Sequence, residues 1–160
     1  EMYELMLDKT EAVGYAQYEI SNFSLPGLAS RHNSKYWLCE PVYAFGVSAH
    51  SFDGARRRWA NERDTSRYVS LIENNQTPIA EKTELDAKQL SAEFAFLRLR
   101  LTEGLRLDEY ENRFGIDLRA RFAEDLRRLE DLGLIEFDAE FLKLTRRGFV
   151  FSNEVFALFV

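Results

Sequence analysis

The chain has 160 residues, 46% of them apolar and 30% charged, with a net charge of −6, a globular balance that excludes wholesale disorder and argues against a broad nucleic-acid footprint. No apolar run approaches the roughly 20 residues that span a bilayer, and the start, EMYELMLDKTEAVGY, has neither region of a signal peptide, so the expected compartment is the cytoplasm. The single cysteine, Cys39, can neither close an internal disulfide nor hold a zinc ion or an iron–sulfur cluster alone.

Residues Glu1 to Val13 carry Met2, Leu5, Met6 and Ala12 among charges, which predicts a helix ended by Gly14. YAQYEI (15–20) alternates as a half-buried strand does, and Pro26-Gly27 marks a loop over Ser21 to Ser30. A short helix from about Arg31 to Leu38 follows. Then comes VYAFGVSAHSF (42–52), read as a second strand in which Gly46 implies a close backbone approach. Helix, strand, helix, strand is the order of an α/β layer, and two strands are too few to stand alone.

Residues 54–82 are polar and read as a linker, with one short helix at Thr65 to Glu73. TELD (83–86) offers a capping box before a helix with Ala87, Leu90, Phe94, Leu97 and Leu101 on one face. Leu107 to Phe114 gives a second helix stopped by Gly115. Asp117 can cap a third that carries Leu118, Phe122, Leu126, Leu129 and Leu132. GLIEF, the turn DAE and FLKLT read as a hairpin, and Thr145 opens a final helix through Phe159. The expected fold class is therefore α/β plus mainly α, with residues 83–160 forming a winged-helix-like domain.

That shape often binds DNA. Residues 86–160, however, hold 12 Lys and Arg against 15 Asp and Glu, and the third helix mixes Arg119, Arg121, Arg127 and Arg128 with Glu124, Asp125, Glu130 and Asp131. So many carboxylates suit no phosphate-lined groove, and no nucleic-acid partner is expected.

Chemistry concentrates at Asn22 to Trp37. His32, between Arg31 and Asn33, could ligate a metal, donate to an anion or cap its helix. Tyr36 and Trp37, four and five residues on, could offer a planar ligand a flat surface or simply close the core. His50 ends the second expected strand, either at a ligand position or as a core residue. Arg56, Arg57 and Arg58, with Arg63 and Arg67 nearby, would attract phosphate or carboxylate, or else pair with Glu62 and Asp64. No glycine-rich phosphate loop, HExxH or GxSxG motif is present.

YEISNFSLPGLASRHNSKYW followed by YAFGVSAHSF resembles the oxygen-independent coproporphyrinogen III oxidase-like radical SAM proteins, the HemN/HemW family, and specifically their haem-chaperone branch. EFAFLRLRLTEGL, LEDLGLIE, LKLTRRG and SNEVFALF resemble the same family's C-terminal domain in the expected order. The resemblance implies the end of a partial (β/α) radical SAM barrel over residues 1–53, a linker at 54–82 and the C-terminal domain at 83–160. It further implies that His32, Asn33, Tyr36 and Trp37 form the HNxxYW motif associated with haem, with His32 the candidate ligand of the haem iron. Asn22, Gly46 and His50 would lie near S-adenosylmethionine. The family's [4Fe–4S] cluster needs a CxxxCxxC motif that this sequence lacks, so the chain is expected to be a C-terminal piece, inactive alone. The implied partners are haem or a porphyrinogen and haem-accepting apoproteins, with self-association through the truncated barrel edge. The enzymatic alternative is coproporphyrinogen III oxidation, and a third reading is a winged-helix interaction module.

Overall fold

The structure, a computed structural model, describes residues 2–159. Glu1 and Val160, at the ends of the first expected helix and of the C-terminal domain, lie outside the described residues. Two compact units are present: residues 2–38 with 91–159, and residues 39–90.

The first unit opens with α1 (Met2–Ala12), ended by Gly14 at φ +84°. Leu7 is its buried side chain, and the Tyr3 hydroxyl donates to the Ile20 carbonyl at 2.8 Å, tying the helix to the strand region that follows. β1 (Ala16–Glu19) pairs antiparallel with β2 (Asn22–Ser24). The expected loop from Ser21 therefore begins as the return strand of a hairpin, and its three half-buried residues are too few to display an alternation. After Pro26-Gly27 comes α2 (Arg31–Trp37), where expected.

The second half of this unit is built around a ring cluster. α4 (Ala87–Leu99) buries Ser91, Phe94, Ala95 and Leu99, the spacing of one helix face. Phe94 meets Phe114 at 5.4 Å and Tyr110 at 6.3 Å, both on α5 (Leu107–Phe114). Gly115, at φ +66°, stops α5 as expected. The expected third helix is two, α6 (Leu118–Arg121) and α7 (Ala123–Asp131), because Phe122 leaves helical geometry at φ −118°, ψ 25°. Leu132, expected on the buried face, is the half-exposed C-cap of α7.

β6 (Leu105–Arg106), β7 (Ile135–Phe137) and β8 (Phe141–Leu144) form an antiparallel sheet in the order β6-β8-β7, with Leu142 and Leu144 of the central strand buried. The expected final helix is also split, into α8 (Arg146–Val150) and α9 (Ser152–Phe156), at Phe151. Gly148 lies so close to the hairpin that a Cβ there would fall 1.8 Å from the Leu134 carbonyl oxygen.

The second unit holds β3 (His50–Phe52), β4 (Arg57–Asn61), α3 (Thr65–Glu73) and β5 (Ile79–Glu84), with the strands antiparallel in the order β3-β4-β5. The expected strand over 42–52 survives only as β3 and a bridge from Val42 to Phe52. Gly46 at φ +107° and Ser48 at φ +58° break the extended run. Residues 54–82, read as a linker, contain β4, α3 and most of β5. Neither strand is announced by the sequence, because RRWAN and IAEKTE carry no apolar alternation, and IAEKTE is mostly solvent-facing. The capping box falls three residues later than expected: Asp86 accepts from the Gln89 N–H at 2.8 Å, and Gln89 accepts from the Asp86 N–H at 2.9 Å.

Candidate functional site

α2 is a seven-residue helix with no fully buried side chain, too short to hold itself by propensity. Its first turn is closed by Ser30, whose hydroxyl accepts from the Asn33 N–H at 3.2 Å, and its last by the Leu38 N–H donating to Ser34. Cys39, in the left-handed region at φ +54°, ends it.

The helical period divides the HNxxYW residues between two faces. His32 and Tyr36, four apart, are both exposed, with ring centroids 5.2 Å apart edge to face and His32 Nε2 3.4 Å from the Tyr36 hydroxyl. The 3.4 Å contact is at the weak limit of a hydrogen bond and is cheaply given up to a ligand. Leu25, Leu28 and Tyr36 expose apolar surface in the same stretch of chain. Asn33 and Trp37 share the other face and are half-buried. The guanidinium of Arg100 lies 4.1 Å from the centroid of the Trp37 ring.

Arg100 leads to a residue that spacing could not reveal. Its Nη2 is 3.1 Å from Oε2 of Glu19, whose side chain is 0% exposed. The other carboxylate oxygen of Glu19 accepts from the Ser21 N–H at 2.8 Å and from the side-chain amide of Asn22. A buried carboxylate requires such compensation. Asn22, expected near S-adenosylmethionine, is thus committed to Glu19. Neither Glu19 nor Arg100 carries a sequence signal, since their pairing spans 81 positions.

Gly46 and His50 belong to the other unit. The Gly46 carbonyl accepts from the buried Asn61 side chain at 3.0 Å, and no atom lies within 4 Å of where its Cβ would be. Its glycine is required by the positive φ, not by a crowded approach. His50 is exposed at the start of β3, opposite Ala60, beside a shallow pocket of about 230 Å³ that Arg58, Glu81 and Thr83 also line. Most of the arginines there are already paired: Arg56 with Glu84 at 2.6 Å, Arg67 with Glu62 at 3.0 Å and Arg63 with Glu81 at 3.4 Å, while Arg58 lies over Phe52. Among the described residues no three His, Cys, Asp or Glu side chains gather as metal ligands.

Residues 85–151 match the HemN C-terminal domain family. Over its full length the chain is 36% identical to the haem chaperone HemW of Bacillus subtilis, covering 42% of that protein, and 30% identical to that of Lactococcus lactis, covering 41%. Along its whole length the chain is thus similar to HemW haem chaperones, and part of it matches the HemN C-terminal domain. It is also 27% identical to the oxygen-independent coproporphyrinogen III oxidase of Pseudomonas aeruginosa, covering 38% of it. The fold is that of the Escherichia coli coproporphyrinogen III oxidase HemN, a radical SAM enzyme, with a TM-score of 0.75 at 17% identity over 98% of this chain and 39% of that one. The chain spans about two fifths of the length of the curated relatives it matches.

Proposed function

We propose that the protein handles haem as a haem chaperone, with the iron held by His32. The observation that carries the reading is the exposed His32–Tyr36 pair, a few residues along the chain from exposed Leu25 and Leu28, in a chain similar throughout to haem chaperones. An accessible imidazole fits iron ligation, and the edge-to-face tyrosine and the leucines fit a macrocycle lying over the helix. Haem would supply the iron and the planar face. The chain's own part is to aim the imidazole, with Asn33 and Trp37 seating the helix from its other face. We assign this work to the cytoplasm; no helix among the described residues is long and apolar enough to cross a membrane.

Asn22, Gly46 and His50 are proposed to lie toward S-adenosylmethionine in the longer protein. A [4Fe–4S] cluster does not fit the residues of this chain, which has one cysteine and no convergent ligand group among the described residues, and no step is derived through it. The C-terminal part is proposed to be winged-helix-like. Helix α4, strand β6, helices α5 to α7 and the β7–β8 hairpin, with a β6-β8-β7 sheet, support that reading. Haem-accepting apoproteins are the proposed partners. Exposed Met2, Leu5 and Met6 on α1 support self-association.

Titration of haem into this chain and into His32→Ala, followed at the Soret band, tests the proposal. Saturable one-to-one binding lost in the variant is the expected result, and equal weak binding by both would refute the site. The oxidase reading, favoured by the Pseudomonas relative, predicts protoporphyrinogen IX from an anaerobically reconstituted longer protein.

A further inference from the structure

We infer that Arg100 and Glu19 are positioning residues for the haem site, fixing the direction of His32 by clamping Trp37 at the opposite end of α2. The inference rests on the haem reading above and adds residues outside the HNxxYW motif.

A helix of seven residues with no buried side chain takes its orientation from whatever holds its ends. Its N-terminal turn is closed by the Ser30 cap. At the C-terminal end Trp37 lies against Arg100, and the buried Trp37 Nε1–H has no hydrogen-bond partner among the described residues, so stacking and not hydrogen bonding holds the indole. Arg100 is fixed in turn. Its guanidinium donates to the fully buried Glu19, its carbonyl accepts from the Ile20 N–H at 3.1 Å, and the next turn adds Thr102 N–H to the Tyr18 carbonyl at 3.2 Å. Glu19 is held on its far side by the Ser21 N–H and Asn22.

Only arginine can perform both tasks, because its planar fork stacks on an indole while its edge donates to a carboxylate. Arg100 lies within residues 85–151, the HemN C-terminal domain, whereas Glu19 and Trp37 lie outside it. The clamp is therefore how the C-terminal domain sets the helix that presents His32.

The test uses the whole chain in two variants. Arg100→Lys keeps a cation for Glu19 but removes the planar stack. Glu19→Gln with Arg100→Leu removes the pair without stranding a buried charge. Amide exchange is measured without haem at Ser34 of α2 and its C-cap Leu38 and, as a folding control, at Leu142 and Leu144 of β8. Both variants are expected to exchange about tenfold faster in α2 with β8 unchanged. Haem is then expected to bind about fivefold more weakly, at the wild-type Soret position, because the ligand is still His32. His32→Ala would instead abolish the saturable binding.

Unaltered α2 exchange in both variants, or faster exchange with unchanged haem affinity, would overturn the inference. Failure of the unmodified chain to bind haem would overturn the haem reading and the positioning role with it. That failure is told apart by the exchange difference, which would persist without any ligand.

Discussion

Arg100, one residue beyond the end of α4, covers the ring of Trp37, the last residue of α2, at 4.1 Å, while its Nη2 reaches Glu19 at 3.1 Å. One guanidinium thus joins a β-hairpin, the helix that carries His32 and the entrance to the C-terminal domain.

Removing only one partner of this pair strands the other. Arg100→Leu leaves the Glu19 carboxylate buried and short of its cation, which costs on the order of 3 kcal/mol, the lower end of the range because Arg100 is 24% exposed. Glu19→Gln combined with Arg100→Leu is expected to recover most of the loss. Urea unfolding of both variants checks this, and equal destabilisation by single and double variants would refute the coupling.

Two glycines separate a steric requirement from a conformational one. Gly148→Ala drives its Cβ to within 1.8 Å of the Leu134 carbonyl oxygen, so the β7–β8 hairpin must part from α8, at a cost of about 3 kcal/mol or more. Gly115→Ala meets nothing within 4 Å and suffers only from φ +66°, for about 1 kcal/mol. Thermal unfolding should rank them in that order, and the reverse order would contradict the packing.

Acid should loosen two turns. The Asp53 carboxylate accepts the N–H groups of Arg57, Ala55 and Arg56, and that of Asp138 accepts those of Glu140 and Phe141; these bonds hold both carboxyls below the ordinary carboxylate range. A lowered folded-state pKa stabilises above the unfolded value of about 3.9, and that contribution fades as pH falls through the folded value. Asp53→Asn and Asp138→Asn should therefore flatten the loss of stability below about pH 4. Denaturant midpoints measured across that range test it, and an unchanged acid limb would assign the effect elsewhere.

Local rules made the helices legible. The cap at Asp117, the helix start at Thr145 and the stop at Gly115 act within four residues of themselves, and the apolar spacing of Leu90, Phe94 and Leu97 states a helix without reference to anything distant, although the face α4 buries is Ser91, Phe94, Ala95 and Leu99. The HNxxYW string likewise stood out, and the period of a helix sufficed to pair His32 with Tyr36. Elements without apolar alternation were not legible. β4 and β5 carry no alternation, so the polar stretch 54–82 read as a linker although it folds. Breaks at Phe122 and Phe151 were hidden because the apolar spacing continues across them.

The sequence alone determined which residues are helical, where most helices stop and which short motif carries the chemistry, because those depend on neighbours along the chain. Only the tertiary structure decided that Trp37 lies under Arg100, and that Glu19 is a buried anion. Both depend on bringing Arg100 to residues far away along the chain, 81 positions in the case of Glu19, where the cost of burying a charge is met by a partner that no local pattern announces.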